Sequence, residues 1–507
     1  MVLLLLVMVG LPALFIRVNG FDPSPAVLER AVLARGLARG GGYVAAVVRP
    51  AFFAPGRGLD RQPALHQLPL YPVLLSLFFR FAGDADRAVV AFSLLSFWLA
   101  GLVLVLAVGK FFDLSSAFLC GLFYFSSALL LGEVVSGSPL FLEVLLLTLV
   151  LLLAVRPLMG LFSYLLLGLL LGLGCLAATP WLGIAALVLV YRLRVELAGA
   201  GRLSRRKAAL KVVVGLGVGL AVVNLPWWLF RWLARGGSPL FFYPGLRSFT
   251  SSSPGPAWWR EVGRLASFPT PRQLLAKWRE TSRLVYENWL VFSGAYLAPF
   301  FWLSLLWRFK DARRSRLRFF VFACLLVFAL EFLLGDRRPE NLLVLVPWAL
   351  ALGAVVFNRL RLLVPRSLFS RVVLLVFVAV NLYPFLSALR FTKTLSPPPL
   401  SRRLLALGPA LPERAVLVSD APSEVAWYAG KPAVWLPAEV DYLSALAADR
   451  SWKYYLFLTP AALEHPSPRG RPSWPEVYRG GGYSPFWKIL GVEEFAGGRL
   501  LVEIAFN

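Results

Sequence analysis

The residue best placed to do chemistry is Asp22, in the polar segment 17–67 between the first two hydrophobic runs. Ser24 followed by Pro25 predicts that a helix begins there, because serine caps free backbone N–H groups and proline suits a first helical turn. We expect this helix to reach about Arg39 and to stop at the glycines that follow. A carboxylate just ahead of a helix can act as a general base when a hydroxyl reaches it. The alternative is a charge that only stabilises the helix dipole.

Three further acidic residues occur near the ends of hydrophobic runs. Glu133 lies in a predicted short turn between two runs, Glu143 about one turn into the next run, and Glu331 near the end of a later one. An ionisable group within a bilayer costs roughly 2.5–3.5 kcal/mol on insertion scales, so it usually faces a cavity or a charged partner. These acids predict a cavity that opens at one membrane face, and scattered interfacial acids are the alternative.

Basic residues accompany the acids at the same predicted face. Arginine binds phosphate through parallel hydrogen bonds, which suits a phosphorylated substrate. The alternative is a long side chain that reaches from an interfacial helix to the headgroup layer. His66 can hydrogen-bond a phosphate or a sugar, and a plain interfacial role is equally consistent with its position. The candidate cations are Arg231, Arg247, Arg337 and Arg338.

The elements that must position these residues are membrane helices. The chain has 507 residues, 58% of them hydrophobic, and a mean hydropathy of +0.70, whereas soluble domains are roughly 45–50% apolar. Apolar runs of roughly 16–22 residues recur, and about 20 residues cross a bilayer. We treat run 68–83 as a helix lying in the interface, with a twelfth span as the alternative. We predict about eleven spans, at 1–16, 88–109, 115–131, 138–155, 160–177, 179–195, 209–230, 287–307, 317–335, 341–358 and 370–388.

The charge distribution orients the predicted bundle. The net charge is +25, and the arginines and lysines fall in alternate loops between apolar runs, which the positive-inside rule places in the cytoplasm. They do not cluster on a folded domain, so we expect no nucleic-acid partner. The sequence therefore predicts a multi-pass protein of the cytoplasmic (inner) membrane with a cytoplasmic N-terminus. The loops 17–87 and 231–286 and the tail after 389 then face outward.

The first hydrophobic run and the three cysteines each allow a second interpretation. The first run lacks a basic start and an Ala-x-Ala site, so a span is favoured over a cleaved signal peptide. Cys120, Cys175 and Cys324 all lie within hydrophobic runs, so we expect neither a disulfide nor a zinc site.

The tail after Pro397-Pro398-Pro399 has the pattern of a small α/β domain. Its apolar runs shorten to strand length at 415–418, 433–436 and 454–458, with a helical stretch at 438–449. A hairpin is predicted over 487–505, around Gly497-Gly498. We therefore predict two domains, a transmembrane bundle over 1–390 and an extracytoplasmic α/β domain over 398–507.

With these motifs in view, the chain resembles the GT-C superfamily of glycosyltransferases that use polyprenyl-phosphate-linked sugars. This group includes protein O-mannosyltransferases and aminoarabinose transferases. The resemblance covers most of the chain, although each motif is loose. It rests on Asp22 after the first span, on His66-Gln67-Leu68-Pro69-Leu70-Tyr71-Pro72, on Ser136–Phe141, on Pro226–Arg231 with Gly237-Ser238-Pro239, on Asn341–Pro347, and on Val425–Tyr428 with Val434–Pro437.

The chain also departs from the superfamily pattern. Many members have Asp-Glu where this chain has Asp22-Pro23, and a second acid where this chain has Gly137. Glu133 is the candidate replacement for that second acid. An Arg-Tyr pair ahead of a late span is replaced by Glu340-Asn341, with Arg337 and Arg338 displaced upstream.

The resemblance implies a GT-C-like fold and a membrane glycosyltransferase that acts on the outer face. Asp22 would deprotonate an acceptor hydroxyl, and the sugar would transfer with inversion from a polyprenyl-phosphate donor. Glu133 would assist, and the substrate-binding residues would be His66, Tyr71, Glu143, Arg231, Arg247, Glu331, Arg337 and Arg338.

Several partners and rival functions remain open at this point. Lipid, glycan and protein acceptors all fit, membrane lipids surround the bundle, and no cofactor is required, although a divalent metal is not excluded. A transporter or lipid flippase is the main alternative. Transporters often contain paired repeats and helices broken at mid-membrane, and neither feature is evident in this sequence. A non-catalytic scaffold is the third interpretation, but it would not need acids and arginines together.

Overall fold

The described part of the computed structural model comprises residues 2–49, 59, 62–156, 160–199, 204–234, 271–292, 294–307, 309–334, 340–363, 368–391, 399–436, 452–460, 474–478, 487–495 and 499–506. Arg247, Arg337, Arg338 and the predicted helix 438–449 lie outside these ranges.

The bundle is built from long apolar helices, because its hydrophobic runs leave no polar positions at which a helix would end. Each predicted span coincides at least in part with a helix, and run 68–83 forms the helix Leu70–Ala82. The other helices of the bundle are Val2–Asn19, Asp86–Phe111, Leu114–Phe125, Ala128–Val135, Leu140–Ala154, Leu161–Ala177, Trp181–Gly199, Arg205–Ala234, Pro271–Phe292, Ala298–Leu306, Ala312–Leu334, Glu340–Leu343, Val346–Leu363 and Leu368–Phe391.

Length and composition alone qualify fewer helices than the predicted eleven spans. Within the described residues, four helices are long and apolar enough to cross a membrane, or five if Leu114–Phe125 and Ala128–Val135, bent by 50°, form one span. Five shorter apolar helices accompany them, including Leu140–Ala154 and Leu161–Ala177. The number of spans therefore stays a prediction.

The predicted continuous span 287–307 is wrong, because the helix breaks within it. Pro271–Phe292 ends before Gly294, which has a left-handed φ of 93°, and Ala298–Leu306 follows a short 3₁₀ turn. A Cβ on Gly294 would also lie 3.2 Å from Leu350 Cδ2. Glycine permits both the backbone turn and the close approach of the neighbouring helix.

Glycines bring two helices of the bundle into backbone contact. Leu161–Ala177 packs along Arg205–Ala234, and a Cβ on Gly168 would lie 2.5 Å from the Leu216 carbonyl oxygen. A Cβ on Gly219 would lie 2.4 Å from the Leu165 carbonyl oxygen, whereas one on Gly217 would meet nothing within 4 Å. Small residues at such positions let membrane helices approach closely. Gly219 therefore serves the close packing of these two helices, whereas Gly217 does not.

This contact gives the first testable prediction. We expect Gly219→Ala to lower the unfolding temperature by several degrees, since a helix backbone must move by about 1 Å to admit the methyl group, at a cost of about 1–3 kcal/mol. The matched control, Gly217→Ala, should leave the temperature unchanged or raise it, because alanine favours helix over glycine. Labelling of the buried thiols Cys120, Cys175 and Cys324 by a maleimide dye during heating measures unfolding. Equal shifts for both variants would contradict the packing argument.

The tail supplies five strands of a sheet that has six strands within the described residues. Their order is Val47–Val48 (β1), Ala433–Trp435 (β3), Ala415–Ser419 (β2), Lys453–Leu458 (β4), Arg499–Phe506 (β6) and Trp487–Phe495 (β5). The predicted strands are confirmed at Ala415–Ser419 (β2), Ala433–Trp435 (β3) and Lys453–Leu458 (β4), and the hairpin at Trp487–Phe495 (β5) and Arg499–Phe506 (β6). Strands β1 to β4 pair in parallel, and the hairpin adds antiparallel strands at one edge. Short helices Pro399–Ala410, Pro422–Glu424 and Trp474–Tyr478 complete the described tail.

The edge strand β1 comes from the polar segment between the first two hydrophobic runs. Val47–Val48 pairs in register with Ala433 and Val434. Apolar side chains of the helices Pro25–Ala38 and Leu70–Ala82 share one buried cluster with tail residues such as Leu417 and Trp427. The first loop and the tail thus pack as one body against the end of the bundle, while the predicted domain boundary stays untested.

One arginine is buried inside the bundle. Arg192 is fully buried in the helix Trp181–Gly199, where Nη2 donates to the Tyr164 hydroxyl at 2.7 Å and contacts Glu196 at 3.3 Å. Its Nη1 donates to the Arg156 carbonyl at 2.6 Å. These partners replace the water that a guanidinium would otherwise require, so Arg192 is an exception to the rule that the arginines of this chain lie in loops between apolar runs.

Candidate active site

Asp22 lies on an exposed stretch between the first two helices. The helix predicted after it is confirmed as Pro25–Ala38, with Ser24 extended at its N-terminus but making no side-chain capping bond. The Ser24 N–H instead donates to the Ser136 carbonyl at 3.0 Å, which ties this stretch to the turn between two bundle helices. Within the described residues, the Asp22 carboxylate has neither a hydrogen bond nor an ion pair, so it is available to a substrate.

The turn 136–138 beside this stretch explains why no second acid stands there. Gly137 has a left-handed φ of 74°, and a Cβ on it would lie 2.7 Å from Val89 Cγ1. The buried Tyr71 hydroxyl donates to the Gly137 carbonyl at 2.6 Å, and Ser93 Oγ to the Ser138 carbonyl at 3.1 Å. A carboxylate side chain at 137 would collide with the neighbouring helix. In the structure Tyr71 fixes this turn, and its predicted role in substrate binding stays a prediction.

Glu133 was placed in the turn, and the structure corrects that position. It lies in the last part of the helix Ala128–Val135 and is half-buried. Its carbonyl accepts from Ser138 N at 3.0 Å and from Ser136 Oγ at 2.9 Å. The turn therefore wraps around the backbone of Glu133, close to the stretch that carries Asp22.

A basic residue that sequence reasoning missed, Arg30, connects several predicted site residues. The positive charge of Arg30 lies within electrostatic range of the side chains of Tyr43, Tyr71 and Glu143. Glu143 is 8% exposed and lies within electrostatic range of Glu331, whose carboxylate accepts a hydrogen bond from the Thr179 hydroxyl. The structure thus brings the two predicted acids together and adds a cation near one of them.

Arg231, one of the predicted cations, lies beside aromatic side chains near the end of a bundle helix. It is 5% exposed in the last turn of the helix Arg205–Ala234, with its guanidinium 6.0 Å from the Trp227 ring. The Tyr43 ring lies 5.0 Å from the same indole. Burial raises the pKa of Tyr43, and the positive charges of Arg30 and Arg231 oppose that rise. Two arginines from different elements therefore approach one phenol, an arrangement that suits an anionic group.

His66 is committed to a buried ion-pair cluster. Its Nε2 lies 2.7 Å from Glu29 Oε1, and Arg49 Nη2 donates to Glu29 Oε2 at 2.6 Å. The Glu29 side chain is 5% exposed. Burial raises the pKa of Glu29, but Arg49 and His66 outweigh it and hold the pKa well below the usual value. The substrate role predicted for His66 stays a prediction, while its partner in the structure is Glu29.

This cluster gives a pH-dependent prediction. Because the pKa of Glu29 is depressed in the folded protein, its stabilisation is complete above the ordinary carboxyl pKa and is lost as the pH falls through the depressed value. We expect Glu29→Gln to cost about 3 kcal/mol near neutral pH and progressively less in acid. The control is Glu413→Gln, which changes an exposed carboxylate of the tail. Unfolding temperatures measured from pH 7 to pH 3 test this, and a constant deficit would contradict it.

The tail reaches the same end of the bundle through two aromatic residues. Trp427 Nε1 donates to Asp86 Oδ1 at 2.6 Å, and the Tyr428 hydroxyl donates to Asp86 Oδ2 at 3.2 Å. Burial raises the pKa of Tyr428, and the negative charges of Asp86, Asp22 and Glu424 raise it further. The Arg87 guanidinium, next to Asp86, lies 5.8 Å from the ring of Phe21, next to Asp22. The tail and the stretch that carries Asp22 therefore meet at the start of the same helix, although they are far apart in the sequence.

The remaining predicted cations, Arg247, Arg337 and Arg338, fall outside the described ranges. Across the ranges that are described, no three His, Cys, Asp or Glu side chains are grouped as ligands for a metal ion.

Comparison with known proteins identifies the fold. No family model and no curated protein matches the sequence. A crystal structure of ArnT from Cupriavidus metallidurans bound to undecaprenyl phosphate matches over 99% of this chain and 97% of its own, at 15% identity and a TM-score of 0.63. The archaeal oligosaccharyltransferase AglB from Archaeoglobus fulgidus, in complex with an inhibitory peptide and a dolichol-phosphate, matches over 90% and 69%, at 14% identity and 0.55. The chain has the GT-C fold.

The GT-C fold confirms the predicted fold class at the level of a multi-pass helical membrane protein. The orientation, the number of spans and the identity of the membrane stay predictions.

Proposed function

We propose that this protein is a membrane glycosyltransferase that moves a sugar from a polyprenyl-phosphate donor to an acceptor hydroxyl on the outer face, with inversion. The proposal is carried by Asp22, an exposed carboxylate that makes no hydrogen bond or ion pair within the described residues, and by Arg30 and Arg231, whose charges both reach Tyr43 of the same first loop. Glycosyl transfer from a phosphate needs both a base and a cationic site. Similarity to ArnT bound to undecaprenyl phosphate and to AglB with dolichol-phosphate supports the donor class.

In the proposed reaction, Asp22 accepts the proton of the acceptor hydroxyl. The oxygen then attacks the anomeric carbon on the face opposite the phosphate, a new glycosidic bond forms, and the bond from carbon to phosphate oxygen breaks. The electron pair of that bond leaves with the polyprenyl phosphate. Its exposed position between two helices lets Asp22 meet a hydroxyl that arrives from solvent.

The departing phosphate gains negative charge as the bond breaks, so cations placed beforehand stabilise the transition state more than the ground state. Arg231 and Arg30 lie around Tyr43 and would hold this phosphate, with Arg337, Arg338 and Arg247 as further candidates. The buried Glu143 and the half-buried Glu331 would contact the sugar, together with His66 and Tyr71 as predicted from sequence. The prenyl chain would lie against the exposed apolar surface of the bundle.

The donor assignment has a direct binding test. We expect polyprenyl phosphate to co-purify with the protein in mild detergent and to raise its unfolding temperature when added back, because the ligand binds only the folded state. The control is the corresponding polyprenyl alcohol, which keeps the chain but lacks the anion. Mass spectrometry of the extracted lipid and a titration of both compounds measure this. Equal stabilisation by the alcohol, with no phosphate in the extract, would refute the donor class.

A further inference from the structure

The tail presents two aromatic residues on an unusual backbone element. Val425–Ala429 forms a π-helix, which ends at Gly430 with a left-handed φ of 65°. Such elements are rare and frequently occur at functional sites. The wide turn directs Trp427 and Tyr428 to the start of the helix Asp86–Phe111, on the bundle side of the interface.

Trp427 is the structural anchor of this contact. It is 4% exposed, and its indole N–H bonds to Asp86. The Arg35 guanidinium lies 3.6 Å from the centre of the Trp427 ring and donates to the Trp427 carbonyl at 2.8 Å. Arg35 also forms a 3.1 Å ion pair with Asp84. These bonds fix the tail on the first loop without any contribution from the neighbouring tyrosine.

Tyr428 has a different environment, because it is only partly buried and lies near the exposed Asp22. Its hydroxyl carries one hydrogen, and that hydrogen is donated to Asp86. The phenol oxygen keeps lone pairs that can accept a hydrogen bond from another molecule. An ionised Asp22 is also only an acceptor. The guanidinium of Arg87, the residue after Asp86, lies 5.8 Å from the ring of Phe21, the residue before Asp22. Asp22 and the Tyr428 hydroxyl therefore offer hydrogen-bond acceptors at the same end of the bundle, one from the first loop and one from the tail.

We propose that Tyr428 is an acceptor-positioning residue and that the acceptor is a carbohydrate. One hydroxyl of the acceptor sugar gives its proton to Asp22, and a neighbouring hydroxyl donates a hydrogen bond to the Tyr428 oxygen. Asp86 orients the phenol for this bond. A sugar carries several hydroxyls and can donate to both acceptors at once, whereas a serine or threonine side chain supplies a single hydroxyl. This inference rests on the proposed glycosyl transfer and assigns its acceptor side.

The test compares Tyr428→Phe with Tyr383→Phe, which changes a tyrosine that is 63% exposed on the helix Leu368–Phe391. Purified protein receives a polyprenyl-phosphate donor with a radiolabelled sugar and increasing amounts of a fraction extracted from native membranes that contains glycans, glycolipids and proteins. We expect Tyr428→Phe to raise the apparent KM for that fraction by about three- to ten-fold, the loss of one hydrogen bond, with kcat within about two-fold. Tyr383→Phe should match the wild type.

Two further measurements separate positioning from structure. The unfolding temperature and the Kd for polyprenyl phosphate should be the same in Tyr428→Phe and the wild type, since Trp427 retains the docking. An unchanged KM, or a fall in kcat together with weaker lipid binding, would overturn the role of Tyr428. Label recovered on serine or threonine of proteins would overturn the carbohydrate acceptor. Absence of donor cleavage by the wild type is a separate result, which would defeat the proposed glycosyl transfer itself.

Discussion

Asp22→Asn is expected to lower sugar transfer by about 10²–10⁴-fold, the usual contribution of a general base. Asparagine has nearly the same size and keeps an acceptor oxygen, but its amide does not take a proton from a hydroxyl at neutral pH. The side chain is exposed and, in the described structure, holds no hydrogen bond or ion pair. Folding should therefore be unaffected, and the unfolding temperature should equal that of the wild type.

The control for this variant is Asp311→Asn, since Asp311 is an exposed carboxylate in a loop between two other bundle helices. It should retain full transfer. Initial rates with a polyprenyl-phosphate donor at saturating concentration measure both variants. Transfer by Asp22→Asn within two-fold of the wild type would remove Asp22 as the base and would turn attention to Glu133, the half-buried acid beside the same turn.

Arg231→Ala is expected to have the second largest effect, a fall of about 10²-fold in transfer, comparable to removing one donor from a preformed anion site. Arg231 is 5% exposed beside Trp227 and acts on Tyr43 together with Arg30. Without the Arg231 guanidinium, the departing phosphate has one fewer cation to stabilise the negative charge that it gains. Arg231→Lys keeps the charge but loses the planar fork of the guanidinium, so an intermediate rate is expected.

The control for the arginine variants is Arg194→Ala, which changes an exposed guanidinium on the helix Trp181–Gly199. It should transfer sugar at the wild-type rate and bind polyprenyl phosphate normally. Arg231→Ala should bind polyprenyl phosphate more weakly than the wild type does. The two proteins should bind the neutral polyprenyl alcohol equally well. Normal phosphate binding by Arg231→Ala, or an identical loss for lysine and alanine, would show that Arg231 does not contact the phosphate.

Local pattern in the sequence was sufficient to predict the helices and the strands of the tail. Hydrophobic runs such as 88–109 and 370–388 correspond to the helices Asp86–Phe111 and Leu368–Phe391, because a bilayer requires continuous helix with internal hydrogen bonds. The strand at 454–458 was equally evident from its short run of aromatic residues and leucine. The break near Gly294 was not predicted, since it depends on the close approach of a neighbouring helix. A Cβ on Gly294 would lie 3.2 Å from Leu350 Cδ2 of that helix.

The candidate site was predicted only where a residue type is unusual for its own segment. Asp22 stood out as a carboxylate next to a membrane span, and Arg231 as a cation after two tryptophans. Arg30 was missed because an arginine on an outer-loop helix is ordinary, and only tertiary packing brings it near Glu143 and Tyr43.

Contacts between distant segments also escaped prediction. Strand Val47–Val48 pairs with the tail, and Asp86 bonds to Tyr428, across more than 300 residues of sequence. Single-sequence periodicity carries no information on such pairs, although Trp427-Tyr428 had already been noted in the resemblance to GT-C proteins. The collision that excludes a side chain at Gly137 was likewise visible only from the position of Val89.

The most direct measurement follows one donor molecule in proteoliposomes that contain the purified protein. The donor is a polyprenyl-phosphate-linked sugar labelled in both the sugar and the lipid, and the acceptor is the membrane extract. We predict that wild-type protein separates the two labels, yielding glycosylated acceptor and free polyprenyl phosphate in equal amounts, and that Asp22→Asn does not. Donor that stays intact, or that moves intact between the two leaflets as a flippase would move it, would contradict glycosyl transfer at this site.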